Sequence, residues 1–204
     1  MYCASNPVRY NDPNGMDEWE INEQGKIVSK TKTKEHDAFF MVDEEGQRIE
    51  GKNIDFKYGT VTHQTRHITK NQSYDLYKVK GDKNGTALFE FMADNTKVEW
   101  SQFKVGYKDI GSNFLTSSHE KDTEAGSTNF INGQLVNNYS LREINHNHPN
   151  FSQYPSGMYD SPGDIQYARQ VSLIFNNVLF NIYTSCNKKY TPYNQYSRPS
   201  DFGL

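Results

Sequence analysis

Apolar and polar residues alternate ahead of His146 and from Val98 to Val105, the spacing of half-buried β-strands. Two stretches share one form: EINEQGKIV (Glu20–Val28) and MVDEEGQRI (Met41–Ile49) each run from an apolar residue through polar ones to a Gly, then return to apolar. Each predicts a β-hairpin, turning at Gly25 or Gly46. The segment between them, SKTKTKEHD (Ser29–Asp37), is polar and expected to be exposed. Two repeats are too few for a solenoid, so residues 18–62 predict a small β-meander. The Val- and Thr-rich run VTHQTRHITK favours a further strand. On a strand His63 and His67 stand too far apart for one ion, and a solvated face is the expectation for both.

Helical spacing enters twice. Thr86 to Asn95 predicts a helix capped by Thr86, with Ala87, Leu88, Phe91 and Met92 as its apolar face. Val98 to Val105 then alternates as a strand carrying Glu99. The Gly-, Ser-, Asn- and Thr-rich stretch that follows, residues 109–138, predicts loop with short strands around Phe114–Leu115 and Phe130–Ile131, and His119 as a surface histidine. Tyr139, Leu141 and Ile144 lead a strand into His146 and His148, which Pro149 ends because it has no N–H for a ladder. The second helix begins with Ser161 as cap, Pro162 in the first helical position and Asp164 in the first turn. Ile165, Ala168, Val171, Leu173 and Ile174 form its periodic run. Asn177–Asn194 predicts a hairpin turning at Asn187–Lys188.

These elements place chemistry. Residues i and i+2 of a strand share a face, so His146 and His148 project side by side, a spacing that suits two imidazoles on one metal ion. Asp164, at the mouth of the following helix, can face them across the loop. Three protein ligands leave zinc an open fourth position for water, the arrangement of a catalytic site. The arrangement still lacks a base to take a proton from that water.

His-x-His-Pro followed by Ser-x-x-Asp resembles the JAB/MPN metallopeptidase signature, also called JAMM, over roughly residues 85–195. That signature includes a glutamate on a strand just after the first helix, which points to Glu99 rather than Glu90. The Pro149–Ser161 loop is longer than the family's usual one. The resemblance implies an α/β (α+β) fold: a central mixed β-sheet flanked by helices, here with an N-terminal β-hairpin extension. It implies Zn2+ on His146, His148 and Asp164, Glu99 as general base, and Ser161 helping to stabilise the tetrahedral oxyanion. The reaction implied is amide or isopeptide hydrolysis of a protein or peptide substrate.

Composition narrows the alternatives. The chain has 204 residues and a formal net charge of −3, with no Lys/Arg run, which argues against a nucleic-acid partner. That balance also counts against a metal-dependent nuclease, despite the literal His146-Asn147-His148 string; a non-catalytic JAB-like binding or structural module is the other alternative. Hydrophobic residues are only 34%, but 14% aromatics favour a globular, β-rich protein over a disordered one. No apolar run is long enough for a membrane span, and no signal peptide is read. Cys3 and Cys186 make no disulfide framework.

At the N-terminus, Tyr2, Asn6, Pro7, Asp12, Pro13 and Gly15 resemble the closing pattern of an RHS/YD-repeat core. Such cores carry variable C-terminal toxin domains and commonly release them by self-cleavage. The resemblance implies a polymorphic toxin effector, delivered or secreted and acting in the target-cell cytoplasm, with an RHS shell and an immunity protein as partners. The expected division is residues 1–15 as RHS junction, poorly packed on the rest; 16–75 as the hairpin-rich extension; and 76–204 as the catalytic domain.

Overall fold

The computed structural model describes residues 17–68, 73–122, 125–132, 140–159 and 162–204. Cys3, Ser161 and the RHS-like junction at residues 1–15 lie outside them. Two mixed sheets and three helices make an α+β fold. β1 (Asp17–Ile21), β2 (Ile27–Lys32), β3 (His36–Val42) and β4 (Arg48–Lys57) form a four-stranded sheet in the order β2-β1-β3-β4, with β1 and β3 parallel. Its two hairpins turn at Gly25 and Gly46, whose φ values of 69° and 79° are open to glycine at no steric cost.

β5 (Val61–Ile68), β6 (Ser73–Lys80), β7 (Ser101–Val105), β8 (Ser112–Ser117), β9 (Leu141–Asn147), β10 (Leu179–Thr184) and β11 (Lys189–Tyr193) make the larger sheet, in the order β11-β10-β9-β7-β8-β6-β5. Only β9 and β10 pair in parallel there. The boundary expected at residue 76 therefore falls inside β6, and β5 belongs to the larger sheet. Pro192 sits on the edge strand β11, where a missing N–H is harmless.

Alternate residues of the large sheet, with Trp100 just ahead of β7, feed two cores. On one face Tyr77, Trp100, Leu115 and Tyr183 pack with Leu88, Phe89 and Met92 of α1 (Asp82–Asn95), and with Trp19, Phe39 and Met41 of the small sheet. On the other, Phe103, Phe114, Ile144 and Ile182 pack against Phe130 of α2 (Ala125–Phe130) and Ile165, Ala168 and Val171 of α3 (Asp164–Ile174). Each such side chain, fully buried, contributes about 1.5–3 kcal/mol.

Several elements depart from the sequence reading. α1 begins at Asp82 rather than Thr86. Gly85 lies within it, at a position where a Cβ would come within 2.3 Å of the Asn113 side chain. Glu99 is not in a strand: β7 starts at Ser101, and the segment before it is held by the Glu99 N–H donating to the Glu120 carbonyl at 2.9 Å and the Lys97 N–H to the Glu23 carbonyl at 2.8 Å, together with the Asn147 side chain. Phe130 is helical, because tilted contacts with Phe103 (5.0 Å) and Phe114 (4.8 Å) fold its segment over the sheet as α2. α3 starts at Asp164 with Gly163 as its cap residue. Leu173 and Ile174 of its periodic run are exposed at 88% and 46%, since α3 ends as it leaves the sheet.

Candidate metal centre

The Leu141–Asn147 strand sends successive side chains to opposite faces. Ile144 and His146 point to the α3 side, where His146 is cross-strand neighbour to Ile182. Asn145 and Asn147 point to the α1 side, each buried to within 1%. His148 follows directly as β9 ends, and Pro149 allows no further ladder bond.

Asp164, first residue of α3, closes the triangle. The His146 and His148 Nε2 atoms are 3.1 Å apart. The Asp164 Oδ1 lies 3.1 Å from the first and its Oδ2 3.3 Å from the second. Nitrogens bound tetrahedrally to zinc at ~2.0–2.1 Å would stand ~3.3 Å apart, so the donor spacing fits such an ion. All three donor atoms lie within 4.8 Å of one another. The His148 Nδ1 donates to the Ser152 carbonyl at 3.1 Å, which leaves the Nε2 lone pair facing the other donors. The residues present thus fit a divalent transition metal by spacing, donor type and tautomer.

The charges agree with that arrangement. Burial pushes the Asp164 carboxyl up, but the two imidazoles, His146 foremost, hold it far below the usual carboxylate range. Burial pushes the His148 imidazole down; its bond to Asp164 outweighs that, with help from the charges of Asp164 and Glu99, and the net shift is upward. The charge of Glu99 thus reaches His148, although Glu99 stands outside any strand. Glu90 does not share that position: it accepts a 2.9 Å bond from the Tyr190 hydroxyl on the α1 side of the sheet.

Four contributors were not read from the sequence. Asn147, the middle residue of His-x-His, accepts from the Trp100 N–H through Oδ1 at 2.8 Å and donates through Nδ2 to the Val98 carbonyl at 3.3 Å. It holds the backbone on both sides of Glu99. Its one sequence signal is a polar residue where a strand should face a core. Ser156 donates to Asp164 Oδ2 from N and Oγ, at 2.7 and 2.8 Å, and its Oγ accepts the Asp164 N–H at 3.0 Å. The Asp164 N–H, free of an intrahelical partner at the start of α3, is thereby satisfied by a loop residue eight positions earlier. The Ser152 carbonyl orients His148. The Tyr193 ring stands edge-on to His146 at 5.9 Å, and its hydroxyl is buried with no hydrogen-bond partner among the described residues. Burial, reinforced by the charge of Asp164, holds that hydroxyl well above its usual range.

The remaining histidines stay apart from this centre. His63 and His67 lie on β5 as expected, yet both are half-buried. Each Nε2 is 3.3 Å from Thr65 Oγ1, and His67 stacks on Tyr74 at 4.7 Å. His119 is no surface histidine: its side chain is 4% exposed, held between Asp75 at 3.0 Å and the Gln24 carbonyl at 3.2 Å.

Residues 77–169 match a protein-family model described as JAB-like toxin 1. Over that span the chain is similar to JAB-like toxins. The match covers α1, the Glu99 segment, both histidines and Asp164, and it leaves out the four-stranded sheet. No curated protein and no solved structure matches the chain. Among the described residues no helix is long and apolar enough to cross a membrane.

Proposed function

We propose that the chain is a zinc-dependent amide or isopeptide hydrolase acting as a toxin effector. The observation that carries this reading is the convergence of the His146 and His148 Nε2 atoms with both Asp164 oxygens at 3.1–3.3 Å, beside the charge of Glu99. When bound, zinc supplies Lewis acidity towards a substrate carbonyl and an attacking water. Glu99 accepts the water's proton and later delivers it to the leaving amine. Asn147 keeps the Glu99 backbone against the end of β9 while this happens. Asp164, anchored by Ser156, and His148, anchored by Ser152, hold their donor atoms in fixed orientation. Ser161 is the proposed oxyanion donor. The substrate is a protein or peptide of the target cell. The RHS-like pattern of residues 2–15 supports delivery from an RHS shell, release after Gly15 and a cognate immunity partner.

The test separates the base from the ligands. Glu99→Gln keeps size and shape but takes no proton, so it should retain zinc and lose ~10²–10⁴-fold in hydrolysis. His148→Ala should lose both metal and activity. In bacteria lacking an immunity partner the wild type should be toxic, with a shortened target protein and intact nucleic acid, and neither variant should be. Toxicity of Glu99→Gln equal to wild type would reject the mechanism; degraded DNA or RNA would favour a nuclease.

A further inference from the structure

A groove of about 780 Å³ opens between the hairpin turns of the small sheet, the C-terminal end of α1 and the loop after His148. Its size is that of a ligand-binding cleft. Val28, Met41, Val42 and Ile49 supply apolar floor, and Pro149 and Phe151 form the wall nearest the metal centre. The loop that orients His148 also displays Phe151. The Phe151 N–H donates to the His148 carbonyl at 2.9 Å, and the ring is 58% exposed. Its φ is 62°, a left-handed conformation that a bulky residue seldom keeps without a use. An aromatic ring is thus held out over the groove, three residues from a metal-site histidine.

The rim carries an excess of negative charge. Glu23 is paired with Lys97, and Asp94 with Lys188. That leaves Asp43 and Glu44, exposed in the β3–β4 turn, facing a single Lys52. An apolar floor with acidic residues at its lip complements a chain segment that alternates apolar and basic side chains.

We infer that this groove docks an extended segment of the polypeptide substrate, basic and apolar in alternation, and feeds the adjoining bond to the metal centre past Phe151. The inference rests on the hydrolase reading for the direction of the chain. It gives the four-stranded sheet, which lies outside the JAB-like match, the role of a substrate-selecting wall.

Binding is measured apart from turnover on the full chain carrying Glu99→Gln, by fluorescence anisotropy. The probes are two fluorescein-labelled twelve-residue peptides, one alternating Leu and Lys, the other Leu and Glu. The Lys peptide should bind at least tenfold tighter than the Glu peptide. Asp43→Lys with Glu44→Lys should weaken it at least tenfold, and Phe151→Ala severalfold. Glu35→Lys with Asp55→Lys, exposed acids that do not line the groove, should change nothing. Equal binding of the two peptides, or indifference to the 43/44 reversal, overturns the inference. So does an equal loss in the control pair, which would mean general surface attraction. Self-association in the ultracentrifuge that the 43/44 reversal abolishes would assign the groove to a second copy instead. Selective binding by a wild type that hydrolyses nothing sinks the hydrolase and leaves the groove; hydrolysis blind to the groove variants does the reverse.

Discussion

Asn147 shows how much of the candidate site depends on a residue that touches neither substrate nor metal. It lies between the two histidines in sequence, but its carboxamide works on the opposite face, holding the chain before and after Glu99. Asn147→Leu keeps the approximate volume and removes both bonds. It should cost about 1–3 kcal/mol of stability, because the buried Trp100 N–H loses its partner. Zinc content should stay at the wild-type level, hydrogen exchange at the Trp100 amide should speed up at least tenfold, and hydrolysis should fall by roughly 10²-fold as Glu99 drifts. An unchanged exchange rate at Trp100 would show that the segment is held by something else.

Two elements carry testable energetics. Gly85 lets α1 lie against β8, and Asn113 beneath it cannot easily retreat, because it is bonded to Gln102 and Asp82. Gly85→Ala gains about 1 kcal/mol in helix propensity but suffers about 1–3 kcal/mol of overpacking. The packing loss should win, lowering the urea midpoint. On the β5–β6 hairpin, Asp75 is fully buried and bonded to Arg66 and His119. Burial pushes its carboxyl up; His119 and Arg66 more than offset this, so the folded-state value is lowered. A lowered carboxylate stabilises the fold above the unfolded carboxylate range, and that stability is lost as pH falls through the folded value. Asp75→Asn should cost about 1–3 kcal/mol at pH 7 and flatten the loss of stability in acid, read from urea midpoints at stepped pH.

At the scale of the whole molecule, His146 and His148 at the end of the β9 strand and Asp164 at the start of α3 meet only in the folded chain. A metal that binds there stabilises the native state by mass action. Zinc at a hundred times its dissociation constant should add about 2.7 kcal/mol, raising Tm by roughly 5–11 °C in a chain of this size, and a chelator should reverse the rise. His148→Ala should show little of this response in calorimetry, whereas Glu99→Gln should keep it.

Local rules reached far along this chain. Strand periodicity and glycine turns located both N-terminal hairpins and the C-terminal one, and i,i+2 spacing put the two imidazoles on neighbouring positions. What lay beyond local rules was set by partners distant in sequence. Glu99 stands outside β7 because Asn147, 47 residues from Trp100, takes the N–H that a ladder would have used. His119 is buried because it bridges Asp75 to the Gln24 carbonyl, 95 residues away. Ser156 holds both the N–H and the carboxylate of Asp164 because the loop after His148 folds back on α3. The chain alone determined which residues could hold a metal; only the packing of α3, the loop and the Glu99 segment around β9 decided how they face one another, since those contacts form between elements that no local periodicity connects.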